Sequence, residues 1–113
     1  MTCRRGEVYW VDWPEGRGSE QRGRRPALVV QNDRGNRSSP TTVLAAISSA
    51  PLPRVYPFTV YLTAGEAGLP IPCHVNCAHL TTVDQDRLRE KAGAISPDRL
   101  REVHDALRYE LDL

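Results

Sequence analysis

Residues 27–33 read ALVVQND, and this stretch decides the fold. A short, nearly continuous apolar run that starts directly after a proline is typical of a strand buried on both faces of a sheet. Pro26 suits the first residue of a strand, where the missing N–H costs little. Two further runs, EVYWVDW at residues 7–13 and TTVLAAIS at 41–48, are rich in β-branched and aromatic residues and predict strands as well. We therefore expect a sheet in which residues 27–33 form a central strand.

The rest of the chain predicts shorter elements and one clear helix. FTVYLT at residues 58–63 alternates apolar and polar residues and predicts a strand, as does IPCHVNCAHLTTV at 71–83. RGNRSSPT at 34–41 predicts a loop, DQDRLREKA at 84–92 a short helical turn, and AGAIS at 92–96 a brief strand or connector. Ser96 and Pro97 form a typical helix start, since serine caps and proline suits the first turn. The helix carries an apolar stripe at spacings of three and four: Leu100, Val103, Leu107 and Leu111.

These elements indicate a mainly β protein. Five to seven short strands with local connections and no alternating strand–helix rhythm favour a strongly bent antiparallel β-barrel with a C-terminal α-helix. The 113 residues are few enough for one domain, residues 1–113, and enough for a modest core.

Composition excludes several classes of protein. No run of eighteen apolar residues is present, and the first ten residues lack the apolar core of a secretory signal, so we expect a cytoplasmic protein without membrane contact. Three cysteines are an odd number, and Cys73, Cys77 and His79 make only an incomplete zinc motif. Ordinary reduced thiols are the favoured interpretation, with no metal and no cofactor.

The loop before the central strand, GSEQRGRRP at residues 18–26, carries three arginines in four positions. Residues 17–37 contain six arginines against two acids, whereas the net charge of the whole chain is only +1. Arginine grips phosphate through two parallel hydrogen bonds and stacks on bases, which indicates a nucleic-acid site. A solvated surface loop is the alternative interpretation.

Standard catalytic motifs are missing, because no phosphate-binding glycine loop, nucleophile elbow or HExxH stretch occurs. RNA is nevertheless cleavable without a metal, since its 2′-hydroxyl is tethered beside the scissile phosphate and needs only to be positioned. The protein then has two tasks. It must stabilise the phosphorane charge, which an arginine beside a hydroxyl side chain can do, and the leaving 5′-oxygen must receive a proton. DNA lacks this hydroxyl, so we expect no DNA cleavage by this route.

The sequence resembles the MazF/PemK toxins, the sequence-specific endoribonucleases of toxin–antitoxin modules. RRGEVYWVDW at residues 4–13 and GSEQRGRRPALVVQNDRGNRSSPTTVLAAIS at 18–48 carry the resemblance. TVDxxRL at 82–88 and the ending EVHDALRYELDL extend it over essentially the whole chain. It implies an SH3-like barrel, a homodimer and an acidic, partly disordered antitoxin as partner. It also implies metal-independent cleavage of single-stranded RNA to a 2′,3′-cyclic phosphate and a 5′-hydroxyl.

The resemblance also implies site residues. The catalytic arginine is Arg25, and its hydroxyl partner, a threonine in the family, is Ser48 here, which loses the methyl group that restricts χ1. Arg22 and Arg24 are expected to steer phosphate. The implied RNA-binding residues are Ser19, Glu20, Gln21, Arg22, Arg24, Pro26, Phe58, Thr59 and His79. Asn76 and Ala78 replace the Arg–Asp pair that the PemK branch uses in catalysis, so that mechanism does not carry over.

Several alternatives stay open. A non-catalytic gyrase poison of the same fold and a silent RNA- or antitoxin-binding module are the competing functions, because a fold does not determine a function. His79 is either a base reader or a half-buried structural histidine. His104 is expected at the surface or in a dimer contact, and Trp10 and Trp13 in structural or dimer packing.

Overall fold

The computed structural model describes residues 2–13 and 23–113. The strands are β1 (Glu7–Trp13), β2 (Gly23–Val29), β3 (Thr41–Ser48), β4 (Thr59–Leu62), β5 (Cys73–Asp84) and β6 (Leu88–Ala94). The helices are α1 (Asp33–Ser38) and α2 (Pro97–Leu111), with single 3₁₀ turns at Glu66–Gly68 and Gln85–Arg87. The loop residues Ser19, Glu20, Gln21 and Arg22, predicted to bind RNA, lie outside the described residues.

All six strands form one antiparallel sheet in the order β4-β5-β3-β2-β1-β6. The prediction of a mainly β fold with a C-terminal helix is confirmed. The prediction of a barrel is wrong in one respect: within the described residues the outer strands β4 and β6 do not pair, so the sheet is not closed. The four residues of β4 pair with β5 alone among the described strands.

Close packing replaces the missing ladder between β4 and β6. The 3₁₀ turn that follows β4 lies against β6, and glycines stand at both points of contact. A Cβ at Gly68 would clash with the backbone of Ala92, and one at Gly93 would lie 2.7 Å from the carbonyl oxygen of Ala67. Gly68 also has a φ of +74°, which favours glycine. These glycines let the turn bridge the two edges of the sheet by backbone contact.

Both faces of the bent sheet are buried. One face packs under α2 and includes Val8, Leu28, Ile47 and Val75, together with Val103 of the helix. The other face is a second cluster of eight buried residues: Cys3, Tyr9, Val11, Ala27, Val29, Leu44, Val83 and Leu88. Burial on both sides explains the continuous apolar run of β2, because its successive side chains enter different cores.

Three local predictions are wrong. The strand predicted over residues 27–33 begins earlier and ends at Val29, and α1 stands where a loop was predicted. Asn32 ends the strand because its side chain caps α1, with Oδ1 accepting from the Gly35 N–H at 2.8 Å. The helical turn predicted over 84–92 is only three residues long, and its second half is β6, which pairs with β1.

The C-terminal helix follows its prediction closely. Ser96 caps it, with Oγ accepting from the Arg99 N–H at 3.2 Å, and Pro97 is its first residue. Val103 is fully buried and Leu107 nearly so, but Leu111 is 52% exposed, so the predicted apolar stripe covers the sheet for only part of its length. No helix in residues 2–13 and 23–113 has the length and apolar character needed to cross a membrane.

Candidate active site

Arg25 and Ser48 lie on neighbouring strands that run in opposite directions. β2 and β3 pair through Ala27 with Ala46 and Leu28 with Ala45. The paired residues end at Ala27 and Ala46, so Arg25 and Ser48 each lie two residues beyond the last pair, on the same side of it. The two residues predicted to be catalytic, twenty-three positions apart in sequence, are therefore brought together.

Both residues line one cavity of about 210 Å³. Its lining is mostly apolar, and the polar groups are confined to two arginines and two serines. It is formed by Trp10, Arg24, Arg25, Pro26, Ile47, Ser48, Ser49, Leu69, Pro70, Ile71 and Cys73. Four of the predicted site residues, Arg24, Arg25, Pro26 and Ser48, thus share this cavity, which has the character of a ligand site: apolar walls with few polar groups.

The two arginines of the cavity differ in their partners. Arg24 donates from Nη1 to the two carboxylate oxygens of Glu90, at 3.0 and 3.1 Å, and its Nε lies 3.5 Å from Asp12. Asp12 also accepts from Arg89 at 2.6 Å, and these contacts, that of Arg89 first, lower the pKa of the Asp12 carboxyl. Arg25 is exposed and makes no ion pair with any residue of the described ranges. Its charge is therefore available to a ligand, whereas that of Arg24 is partly engaged.

Arg25 lies inside β2. The sequence had suggested a position at the entrance of the strand. β2 begins at Gly23, and Pro26 pairs with Trp10 of β1. The ladder from β2 to β3 begins only at Ala27, so the missing donor of Pro26 falls where that ladder has not yet formed. Arg25 is therefore held by pairing with Val11 of β1 on one side only.

Ser48 is the last residue of β3 and is half-buried. Its Oγ accepts a hydrogen bond from the Ala50 N–H at 3.1 Å. A hydroxyl that accepts one bond still has its own proton to donate. The Ala50 contact thus orients Ser48 and leaves its O–H for an anionic oxygen held beside Arg25.

Phe58, Thr59 and His79 lie outside the cavity lining. Thr59 pairs with Asn76 on β5, and its Oγ1 donates to the Tyr56 carbonyl at 2.8 Å. The Phe58 ring stacks on Tyr56 at 5.1 Å between centroids. Phe58 and Thr59 thus lie at the β4 edge of the sheet, with β5 between them and the strand of Ser48.

His79 owes its exposure to a bulge in β5. Ala45 pairs with Leu80 while the next residue, Ala46, pairs with Asn76, so residues 77–79 have no partner on β3. Bulges redirect side chains and are common beside functional sites. The exposed His79 ring lies 6.2 Å from that of Trp13, a contact compatible with both readings of His79, so its role stays a prediction. No three metal-ligating side chains converge within residues 2–13 and 23–113.

Sequence reasoning missed two residues of this region. Trp10, predicted to serve structural or dimer packing, lines the cavity. His74 is 4% exposed and pairs across the strands with Ser48 on one side and Tyr61 on the other. Trp10 belongs to the family stretch at residues 4–13, but only the strand register shows that it lies across from Pro26 and that His74 lies across from Ser48.

Comparison with known proteins identifies the family. Residues 4–111 match the family model of the PemK-like, MazF-like toxins of type II toxin–antitoxin systems. The chain is 36% identical over 114 residues to endoribonuclease MazF9 of Mycobacterium tuberculosis, covering 97% of each protein. It is 36% identical over 113 residues to endoribonuclease EndoA of Bacillus subtilis, covering 100% of this chain and 97% of that protein.

A solved structure agrees with these sequence relatives. The MazE–MazF Form-II crystal structure from Deinococcus radiodurans superposes with a TM-score of 0.77 at 25% identity, covering 100% of this chain and 98% of that one. The resemblance seen in the sequence motifs is confirmed. The chain belongs to the PemK-like, MazF-like toxin family of type II toxin–antitoxin systems.

Proposed function

We propose that this toxin is an endoribonuclease that cleaves single-stranded RNA without a metal, by attack of the 2′-hydroxyl on the adjacent phosphate. The observation that carries the proposal is the convergence of Arg25 and Ser48 at one cavity. The endoribonucleases MazF9 and EndoA, each 36% identical to the chain, support it.

The polar groups of the cavity suit this reaction. Attack of the 2′-oxygen places additional negative charge on the non-bridging phosphate oxygens, and the Arg25 guanidinium, which has no ion-pair partner among the described residues, and the Ser48 O–H are placed to stabilise it. The described lining residues include no carboxylate, the ligand that Mg²⁺ requires from a protein in such sites. The products are a 2′,3′-cyclic phosphate and a 5′-hydroxyl, and DNA is not cleaved.

The test is cleavage of an end-labelled RNA in excess EDTA, compared with a copy carrying one deoxyribose at the cut site. We expect cleavage of the first and none of the second. Arg25→Ala should abolish cleavage, whereas Arg101→Ala, which removes an exposed arginine on α2, should leave it unchanged. No cleavage by the wild type, together with inhibition of DNA gyrase, would instead establish the gyrase-poison alternative.

The partners follow from the same proposal. We propose an acidic antitoxin, cytoplasmic action on RNA, and a homodimer. MazF of D. radiodurans forms a complex with MazE, which supports the first. Large apolar side chains exposed at the end of α2, those of Tyr109, Leu111 and Leu113, support the last, because a second copy would cover them. Light scattering of the purified protein measures the dimer directly.

A further inference from the structure

The cavity of Arg25 and Ser48 has an apolar part that the cleavage step does not use. Its apolar side chains come from separate parts of the chain. Trp10 of β1 and Pro26 of β2, which pair across the two strands, form one side of it. The segment Leu69–Ile71, which follows the first 3₁₀ turn, contributes a second side. Stabilising a phosphate requires none of these side chains, so they call for a separate explanation.

The segment after the 3₁₀ turn is held in place and still presents apolar surface to solvent. Leu69 is 3% exposed, and its N–H donates to the Glu66 carbonyl at 3.0 Å. Ile71 lies between Pro70 and Pro72, whose rings fix the backbone φ. Pro70 is exposed, and so is the large side chain of Ile71, at 55%. Exposed apolar side chains around a cavity are typical of a ligand-binding groove.

We propose that this apolar part of the cavity, the base subsite, binds the base of one of the two nucleotides that flank the scissile phosphate. Trp10 is its stacking surface. The inference rests on the proposed ribonuclease function and assigns the substrate group that lies next to the phosphate. Bases have flat apolar faces, and stacking on aromatic side chains is a common mode of binding single-stranded nucleic acid. One ribose joins the phosphate to the base, so a phosphate at Arg25 and Ser48 brings a flanking base to the same cavity.

The size and polarity of the cavity determine what the base subsite selects. The cavity measures about 210 Å³, below the ~300–1,000 Å³ of pockets for drug-sized ligands, which suits a single base. Apart from the two side chains assigned to the phosphate, the polar side chains of the lining are those of Ser49 and of Arg24, which Glu90 engages. Stacking on the face of a base tolerates all four bases. We therefore expect the subsite to position the RNA and to contribute little to sequence preference.

The experiment measures single-turnover cleavage of short RNAs that carry one abasic ribose with its 2′-hydroxyl intact. The abasic ribose is placed in turn on each side of the mapped cut site. For the wild type we expect one of these positions to slow cleavage by about 5–150-fold, the usual contribution of one stacked base. Exchanging the base at that position should change the rate by less than about threefold. A larger change would contradict recognition through the face of the base.

Variants of the subsite should remove this abasic penalty. Trp10→Ala should cut the intact RNA about 5–150-fold more slowly and lose less than about threefold more when the base is absent, because its stacking partner is already gone. Trp10→Phe, which keeps an aromatic face, should retain most of the penalty. Ile71→Ser changes an exposed side chain, so it tests the same surface even if Trp10→Ala fails to fold, and it should also reduce the penalty. Val55→Ser is the matched control, since Val55 is 78% exposed and lies outside the cavity lining, and it should leave the penalty unchanged.

Binding without cleavage gives an independent readout. The chain has two tryptophans, so Trp13→Phe leaves Trp10 as the only one. An RNA with one deoxyribose at the cut site should quench the Trp10 fluorescence, whereas a copy that lacks the flanking base should not. Equal quenching by the two RNAs, or an equal abasic penalty in the wild type, Trp10→Ala and Ile71→Ser, would overturn the base subsite alone. A wild type that cuts no RNA would overturn the ribonuclease function itself.

Discussion

An ion pair between Glu66 and Arg99 lies next to the wall of the cavity, and its contribution to the free energy of unfolding can be measured. Glu66 lies in the 3₁₀ turn just before the cavity residues Leu69–Ile71, and it binds Arg99 of α2 through two hydrogen bonds of 2.9 Å. Glu66 also accepts from the Thr63 N–H at 2.6 Å and from the Thr63 hydroxyl at 2.8 Å. The Arg99 contact first, and those of Thr63 next, lower the pKa of Glu66 from 4.5 to about 2.

The size of the effect follows from this pKa. A fall from 4.5 to about 2 corresponds to about 3 kcal/mol at roughly 1.4 kcal/mol per pKa unit. Both side chains are 26% exposed, so solvent screening reduces the stabilisation. We expect Glu66→Gln to lower the free energy of unfolding by about 1–2 kcal/mol at pH 7.

Urea unfolding followed by circular dichroism at several pH values tests this figure. Because the pKa is lowered in the folded state, the Glu66 contribution is complete above pH 4.5 and disappears as the pH falls toward 2. The difference between wild type and Glu66→Gln should therefore shrink over that window. Glu102→Gln is the matched control, since Glu102 binds the same Arg99 but is 49% exposed, and it should cost less than about 0.5 kcal/mol. Equal losses for the two variants, or a Glu66→Gln loss that does not change with pH, would refute the reasoning.

Three further predictions concern the cleavage site, the core and the thiols. Ser48→Ala should slow RNA cleavage about ten- to a thousandfold while Ser48→Thr stays near wild type, and equal rates for all three would remove Ser48 from the site. Asn36→Ala should lower the free energy of unfolding in urea by about 2–3 kcal/mol. Asn36 is 2% exposed, and its side-chain oxygen accepts from Thr42 Oγ1 at 2.7 Å and from Gln31 Nε2 at 3.0 Å. A loss below about 1 kcal/mol would mean that water satisfies these donors in the variant. Burial raises the pKa of all three thiols, that of Cys77 to about 11. An aromatic disulfide reagent at pH 8 should therefore modify the native protein at least ~100-fold more slowly than the urea-unfolded chain. Fast labelling of the native protein would contradict the buried placement of the thiols.

Local sequence patterns predicted most elements because their causes lie within a few residues. The runs at 7–13 and 41–48 match β1 and β3 residue for residue. The Ser96–Pro97 start of α2 is likewise a matter of adjacent groups, a hydroxyl and a fixed φ. The errors fall where a distant partner decides. Residues 88–92 joined the helical turn in the prediction, yet pairing with β1 makes them a strand.

For the candidate site, too, the sequence predicted some features and only the tertiary structure shows the others. The family resemblance predicted Arg25 and Ser48 as site residues, and the charge pattern singled out the loop that leads to Arg25. The resemblance assigned catalysis to Arg25 and phosphate steering to Arg24, but only the sheet shows that Glu90, sixty-six positions from Arg24, engages Arg24, while Arg25 makes no ion pair within the described residues. The place of His74 beside Ser48 was equally hidden.

The sequence by itself therefore determined the strands, the helix and the family of this protein, because periodicity, capping and motif are written in neighbouring residues. The tertiary structure decided which residues meet. The register of β3 and β5 places His74 opposite Ser48, and the arrangement of β2 beside β3 brings Arg25 and Ser48 to one cavity. Register depends on contacts made between distant parts of the chain, and a shift of one residue would turn each of these side chains to the opposite face.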